Sequence, residues 1–86
     1  MRLDKFMKIS LIFKTRSFCE KLIEDNKVLL NGKTCKCASN VKIGDTITVN
    51  TPYKITEYRI NELAEKTVSR AKAKELITIT KEENID

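Results

Sequence analysis

The sequence predicts an α+β domain in which two N-terminal helices pack on a small, curled, mostly antiparallel sheet, with a further helix near the C-terminus. Three observations carry that prediction. Apolar residues recur at helical spacing through the first quarter of the chain, the period switches to two from Val28, and Asn31-Gly32, a pair suited to a tight hairpin turn, sits beside the switch. The 86 residues give room for one domain, and a domain of this size buries only about 60% of the surface its unfolded chain exposes.

The first helix is predicted over residues 3–13. At 100° per residue, Leu3, Phe6, Met7, Ser10 and Phe13 form one stripe and Lys5 and Lys8 point away from it. Lys14, Thr15 and Arg16 make a short polar break. Ser17-Phe18-Cys19-Glu20 then has the form of a capping box, in which Ser17 and Glu20 satisfy each other's backbone donors and open a second helix. Phe18, Cys19, Leu22 and Ile23 line that helix, and Asn26 is a left-handed terminator. The pair should bury Phe6, Phe13, Phe18 and Leu22 together. Val28 to Leu30 and Lys33 to Lys36 read as the arms of a hairpin. A second turn at Gly44-Asp45 separates alternating Val41 and Ile43 from alternating Ile47 and Val49. Pro52 interrupts pairing, and Tyr53, Ile55, Tyr58 and Ile60 predict one more strand. Between Val68 and Glu83 the prediction is a helix, favoured by Ala71 to Leu76 and diluted by the β-branched run Ile77 to Thr80. Residues 1–60 are therefore read as the domain and 61–86 as a partly helical C-terminal extension.

Charge separates the chain into two parts. Seventeen Lys or Arg against twelve Asp or Glu give a net +5, and residues 1–54 alone carry eleven and five, a net of +6. An anionic partner for the front of the chain is the natural expectation. Arg2, Lys5, Lys8, Lys14, Arg16 and Lys21 fall on the first helix, the turn and the start of the second helix, where only Asp4 and Glu20 oppose them. Arg16, at the entrance to the second helix, is well placed to clamp a phosphate with its planar fork. Asp4 is read mainly as a helix-start residue, with orientation of a basic side chain as its other role. Lys33, Lys36 and Lys42 extend a basic rim along the hairpin and the second turn, where lysines also guard strand edges.

Catalysis finds no support. The chain has no His, no Gly-rich phosphate loop, no nucleophile elbow and no base for a Cys or Ser nucleophile. Cys19, Cys35 and Cys37 are too few to close a structural zinc site in one chain and read as reduced apolar fillers. No cofactor is expected. No apolar run approaches a membrane span and the N-terminus lacks the pattern of a signal peptide, so a cytoplasmic location is expected. Scarce aromatic residues favour recognition of folded RNA by shape over stacking on single strands.

Four segments in order, Met1-Arg-Leu-Asp-Lys-Phe, Lys14-Thr-Arg-Ser, Val28-Leu-Leu-Asn-Gly-Lys and Val41-Lys-Ile-Gly-Asp-Thr-Ile, resemble the S4-type RNA-binding domain, or alpha-L motif, over residues 1 to about 50. Short stand-alone chains that open on Arg-Leu-Asp-Lys-Phe resemble the RqcP-like family of bacterial ribosome-associated quality-control factors, kin to the heat-shock ribosome-binding proteins. That resemblance implies a protein, monomeric away from the ribosome, that contacts large-subunit ribosomal RNA and peptidyl-tRNA on stalled complexes. Its expected partner is an RqcH-type factor that adds alanine tails to the nascent chain. Arg2 and Arg16 fall at the family's main RNA contacts, with Lys5, Lys8 and Ser17 beside them. Leu11 and Thr15 depart from the pattern, since relatives commonly place basic residues there, and Thr15 stays among the expected RNA contacts. Rescue of aberrantly split large subunits without tailing, and a general interaction adaptor, are the alternative readings.

Overall fold

The computed structural model describes residues 1–85, which form three helices and one five-stranded sheet: α1 (Leu3–Ile9), α2 (Arg16–Glu24), β1 (Val28–Leu30), β2 (Lys33–Thr34), β3 (Thr46–Asn50), β4 (Lys54–Ile60), α3 (Arg70–Glu75) and β5 (Ile77–Asn84). The strand order is β2-β1-β3-β4-β5, and every neighbouring pair is antiparallel. One core forms where Leu3, Phe6, Met7 and Ile9 of α1 and Cys19 and Ile23 of α2 meet Val28, Ile47, Val49 and Ile60 of the sheet.

α1 is shorter than its apolar stripe predicts. Ser10 caps it with its hydroxyl on the Phe6 carbonyl at 2.8 Å, and Leu11 turns left-handed at φ 59. The Leu11 N–H then bonds the Lys8 carbonyl and the Ile12 N–H the Met7 carbonyl, which is a Schellman ending. A leucine in this conformation costs about 1–2 kcal/mol. Nothing in the residue type announces it, which is why the helical period of the sequence runs on to residue 13 while the helix does not. Ile9, off the tidy stripe, is nevertheless buried. α2 ends in the same way with the expected residue: Asn26 is left-handed at φ 59, and the Asn26 and Lys27 N–H groups bond the carbonyls of Ile23 and Leu22.

The start of α2 also differs from the expectation. Thr15, not Ser17, is the N-cap: its backbone is extended and its hydroxyl accepts from the Phe18 N–H at 3.3 Å. Arg16 is thereby the first helical residue. With Phe13 left in the turn, the predicted four-residue cluster does not form as a buried unit. Phe6 is buried, Phe13 and Leu22 pack at the margin, and Phe18 is exposed, meeting Phe13 edge to face at 5.0 Å.

The hairpin turn forms as predicted, with both central residues at positive φ (Asn31 51°, Gly32 79°), and its return arm pairs over only two residues. The segment before Gly44 is a loop and not a strand. Its backbone is used elsewhere: the carbonyls of Ser39 and Cys37 accept from the free N–H groups of Leu3 and Asp4 at the start of α1, and the Val41 N–H bonds the Met1 carbonyl. A helix end has donors that must find acceptors, and this loop supplies them, so it cannot also pair in the sheet.

The predicted helix over Val68 to Glu83 divides. α3 is real, begun by Ser69, whose hydroxyl accepts from the Lys72 N–H, and anchored by fully buried Ala73 and Leu76. From Ile77 the β-branched residues prevail and β5 runs the length of β4, from Ile60↔Ile77 to Lys54↔Asn84. As an edge strand it carries Lys81, Glu82 and Glu83, charges that discourage pairing with other chains.

Gly44 sits at φ 93 with open space where a Cβ would stand. Gly44→Ala should therefore cost only the backbone penalty, about 1–2 kcal/mol, seen as a lower urea midpoint with an unchanged m-value.

Candidate nucleic-acid interface

The most constrained polar group in the molecule is the Asp4 carboxylate. Asp4 is fully buried in the first turn of α1, on the flank of the apolar stripe. Three partners hold its oxygens. Arg2 approaches in a two-bond fork, Nε to Oδ1 at 3.1 Å and Nη2 to Oδ2 at 3.2 Å. Arg16 presents a second fork, donating from Nη2 to Oδ1 at 3.3 Å with its Nε in charge contact with Oδ2 at 3.3 Å. The Lys5 N–H donates to Oδ1 at 2.8 Å. Asp4 is thus both the helix-start residue and the orienting partner of two arginines.

Burial pushes the Asp4 carboxyl up, but the hydrogen bonds from Arg2, Arg16 and the Lys5 N–H, with the positive charge of Arg16, outweigh it and hold the group below its ordinary 3.8. The arginines keep their other faces free, with side chains 50% and 44% exposed. Arg2 uses two donors on Asp4 and Arg16 one, and each guanidinium has further donors for another acceptor. The result is a pair of fixed cationic forks side by side, shaped for phosphate oxygens.

The remaining expected residues divide into those that join this centre and those that do not. Lys5 and Lys8 share a groove with Arg16, and its far wall is Glu65, Lys66 and Thr67 of the tail. Lys5 pairs with Glu65 at 3.7 Å and Lys8 donates to the Thr67 hydroxyl at 3.4 Å. Lys36 lines a second groove with Arg2, floored by Cys35 and Cys37. Thr15 serves as the helix cap, and Ser17 is exposed in the first turn of α2. Lys14 stands in the turn between the helices, and Lys21 pairs with Asp25 at 3.8 Å. Lys33 on β2 and Lys42 in the loop are exposed and line neither groove that holds an arginine of the double fork. The tail residues Lys66 and Thr67 were not expected at the site. Only folding of the tail against α1 brings them there.

The cysteines behave as protonated fillers. Burial, followed by the Asp4 charge, pushes the Cys19 thiol up to about 11. Cys35 and Cys37, also raised by burial, direct their sulfurs at the carbonyls of Val28 and Glu20. Asp4, Glu20 and Cys37 place one ligand atom each within 4.8 Å of one another. Two guanidiniums already occupy the Asp4 oxygens, and a metal cation would have to displace them. Among the described residues, no helix is long and apolar enough to cross a membrane.

A helix pair that fixes two arginine forks over a small antiparallel sheet defines an RNA-binding module of the alpha-L class. Comparison with known proteins agrees. The chain belongs to the S4 domain family, whose sequence pattern matches residues 1–47, and within it to the group of RQC P-site tRNA stabilizing factors. It is 36% identical over 85 residues to the factor of that name from Bacillus subtilis, covering 99% of this chain and 98% of the relative. The Listeria monocytogenes factor is 37% identical over 86 residues, covering 100% and 92%. In three dimensions the fold is similar to the trimeric structure of Heat Shock Protein 15 from Vibrio cholerae, with a TM-score of 0.86 at 29% identity over 93% of this chain and 81% of that one.

Because the folded Asp4 is more acidic than the unfolded one, its contribution to stability is present above the unfolded value and is lost as pH falls through the folded value. Asp4→Asn should lower stability at neutral pH by about 1–3 kcal/mol. It should also flatten the acid limb of a plot of urea midpoint against pH.

Proposed function

We propose that this protein is a non-catalytic, cytoplasmic RNA-binding factor of ribosome-associated quality control. It docks its helix pair on large-subunit ribosomal RNA and on the peptidyl-tRNA of stalled complexes, and so supports C-terminal alanine tailing by an RqcH-type factor. The observation that carries this reading is the double fork of Arg2 and Arg16 on buried Asp4. Such an arrangement presents two phosphate ligands in fixed geometry, with Lys5, Lys8 and Ser17 around them and Lys14, Lys21, Lys33, Lys36 and Lys42 as outlying contacts. The names of the relatives that match along the whole chain support a tRNA partner.

Electrostatic contact with phosphates makes affinity fall with salt. For about five contacts the slope of log K against log salt should lie near −4 to −5. Arg16→Ala should cost roughly 1–3 kcal/mol at the RNA. The test is co-sedimentation with large subunits that carry peptidyl-tRNA. Unchanged co-sedimentation of the Arg2→Ala, Arg16→Ala double variant would remove the assignment of this surface. The likeness to Heat Shock Protein 15 favours a second reading, rescue of split large subunits without tailing. Affinity capture from cells separates the two, since recovery of an RqcH-type factor supports tailing and a capture without it supports rescue.

A further inference from the structure

α3 sorts its own cations. Arg70 and Lys74 lie four residues apart, hence on one exposed face and about 6 Å apart along the helix axis. Lys72 between them turns away and is held by Glu62 at 2.9 Å and Glu75 at 3.6 Å. Facing Arg70 and Lys74 is the turn between α1 and α2, and the groove between the two is lined by Leu11, Lys14, Arg70 and Lys74. Among the described residues, Lys14, Arg70 and Lys74 make no ion pair, as several other surface lysines do not; what distinguishes these three is that they line one groove, while Lys72 of the same helix is paired. The left-handed backbone at Leu11 leaves that side chain 44% exposed in the same groove. Three cations from two separate parts of the chain therefore converge without a counter-charge. An anion entering the groove relieves their repulsion.

We propose that this groove is a second phosphodiester-binding site, in which Lys14, Arg70 and Lys74 hold the sugar-phosphate backbone of the RNA engaged by the helix pair. The inference rests on the RNA-binding reading above. Two features favour a nucleic acid over an acidic polypeptide. The tail that supplies Arg70 and Lys74 also supplies Lys66 and Thr67 to the groove of Arg16, and the α1–α2 turn that supplies Lys14 leads directly into Arg16, so the same two stretches of chain build both grooves. Among the described residues, the only apolar side chain lining the new groove is Leu11, which gives a protein partner little surface to bury.

The test is a titration of the full chain with an unmodified tRNA transcript between about 50 and 200 mM salt. The Arg70→Gln, Lys74→Gln double variant should reduce the magnitude of the salt slope by about 1.4 to 1.8, since each phosphate left without its cation lowers it by about 0.7 to 0.9. Lys72→Gln, on the face already neutralised, should leave the slope where it is. Both residues of the double variant are exposed, and an unchanged urea midpoint establishes that the fold is intact. An unaltered slope in the double variant, while Arg2→Ala with Arg16→Ala still weakens binding, overturns this inference and leaves the RNA reading standing. If the double variant keeps the slope and instead loses affinity for polyglutamate, the groove reads acidic protein and the proposal is overturned. Should the parent chain ignore the transcript altogether, the RNA reading and this inference fall together.

Discussion

A carboxylate placed in the core beneath two arginines organises the rest of this molecule. An unpaired buried charge would cost several kcal/mol, so Asp4 can occupy its place only if Arg2 and Arg16 both reach it. Those residues lie on opposite sides of a helix-to-helix connection, and satisfying Asp4 therefore fixes α2 relative to α1. The same requirement reaches the loop before Gly44, because its carbonyls at Cys37 and Ser39 take the free donors at the start of α1 and hold Asp4 in depth. Charge pairing, helix capping and loop path are one coupled arrangement, and no side-chain polar atom among the buried described residues is left without a partner.

The arrangement also explains how so small a chain can present a shaped surface. Arginine side chains free in solvent lose rotamer entropy when they grip a phosphate. Here the loss has largely been taken in folding, since Arg2 is already held by two hydrogen bonds and Arg16 by one and a charge contact. Lys5 and Lys8 are steadied in a weaker way by Glu65 and Thr67, exposed contacts that an incoming phosphate can displace. The surface thus grades from fixed arginines at its centre to adjustable lysines at its margin. Such a surface suits folded RNA, whose phosphates have defined positions.

Much of the fold was legible because it follows from local rules. The Asn31-Gly32 turn, the Asn26 helix end and the strand from Lys54 to Ile60 each depend on residue types whose backbone preferences are strong. The departures share a different cause. Leu11 is left-handed where α1 ends and the chain turns toward α2, a conformation no leucine signals. Val41 to Ile43 alternates like a strand, yet its neighbourhood is committed to capping α1. The run from Ile77 to Thr80 prefers a strand, but only the open edge of β4 makes one worth forming, and an edge is a property of the assembled sheet.

The site shows the same division more sharply. Arg2 and Arg16 could be singled out by charge and by resemblance, but the residue that makes them a site carries the opposite sign. A census of cations passes over Asp4. The helical period passes over it too, since Asp4 lies off the stripe of Leu3, Phe6 and Met7, and its burial comes from the packing of α2 and the loop before Gly44 against the start of α1. The place of Asp4 at the helix start beside Arg2 suggested an orienting role, but the reach of Arg16 to it, twelve residues on, is a property of the folded helix pair. Charge marks the face proposed to meet RNA, and only the folded structure reveals the buried acid that holds that face together.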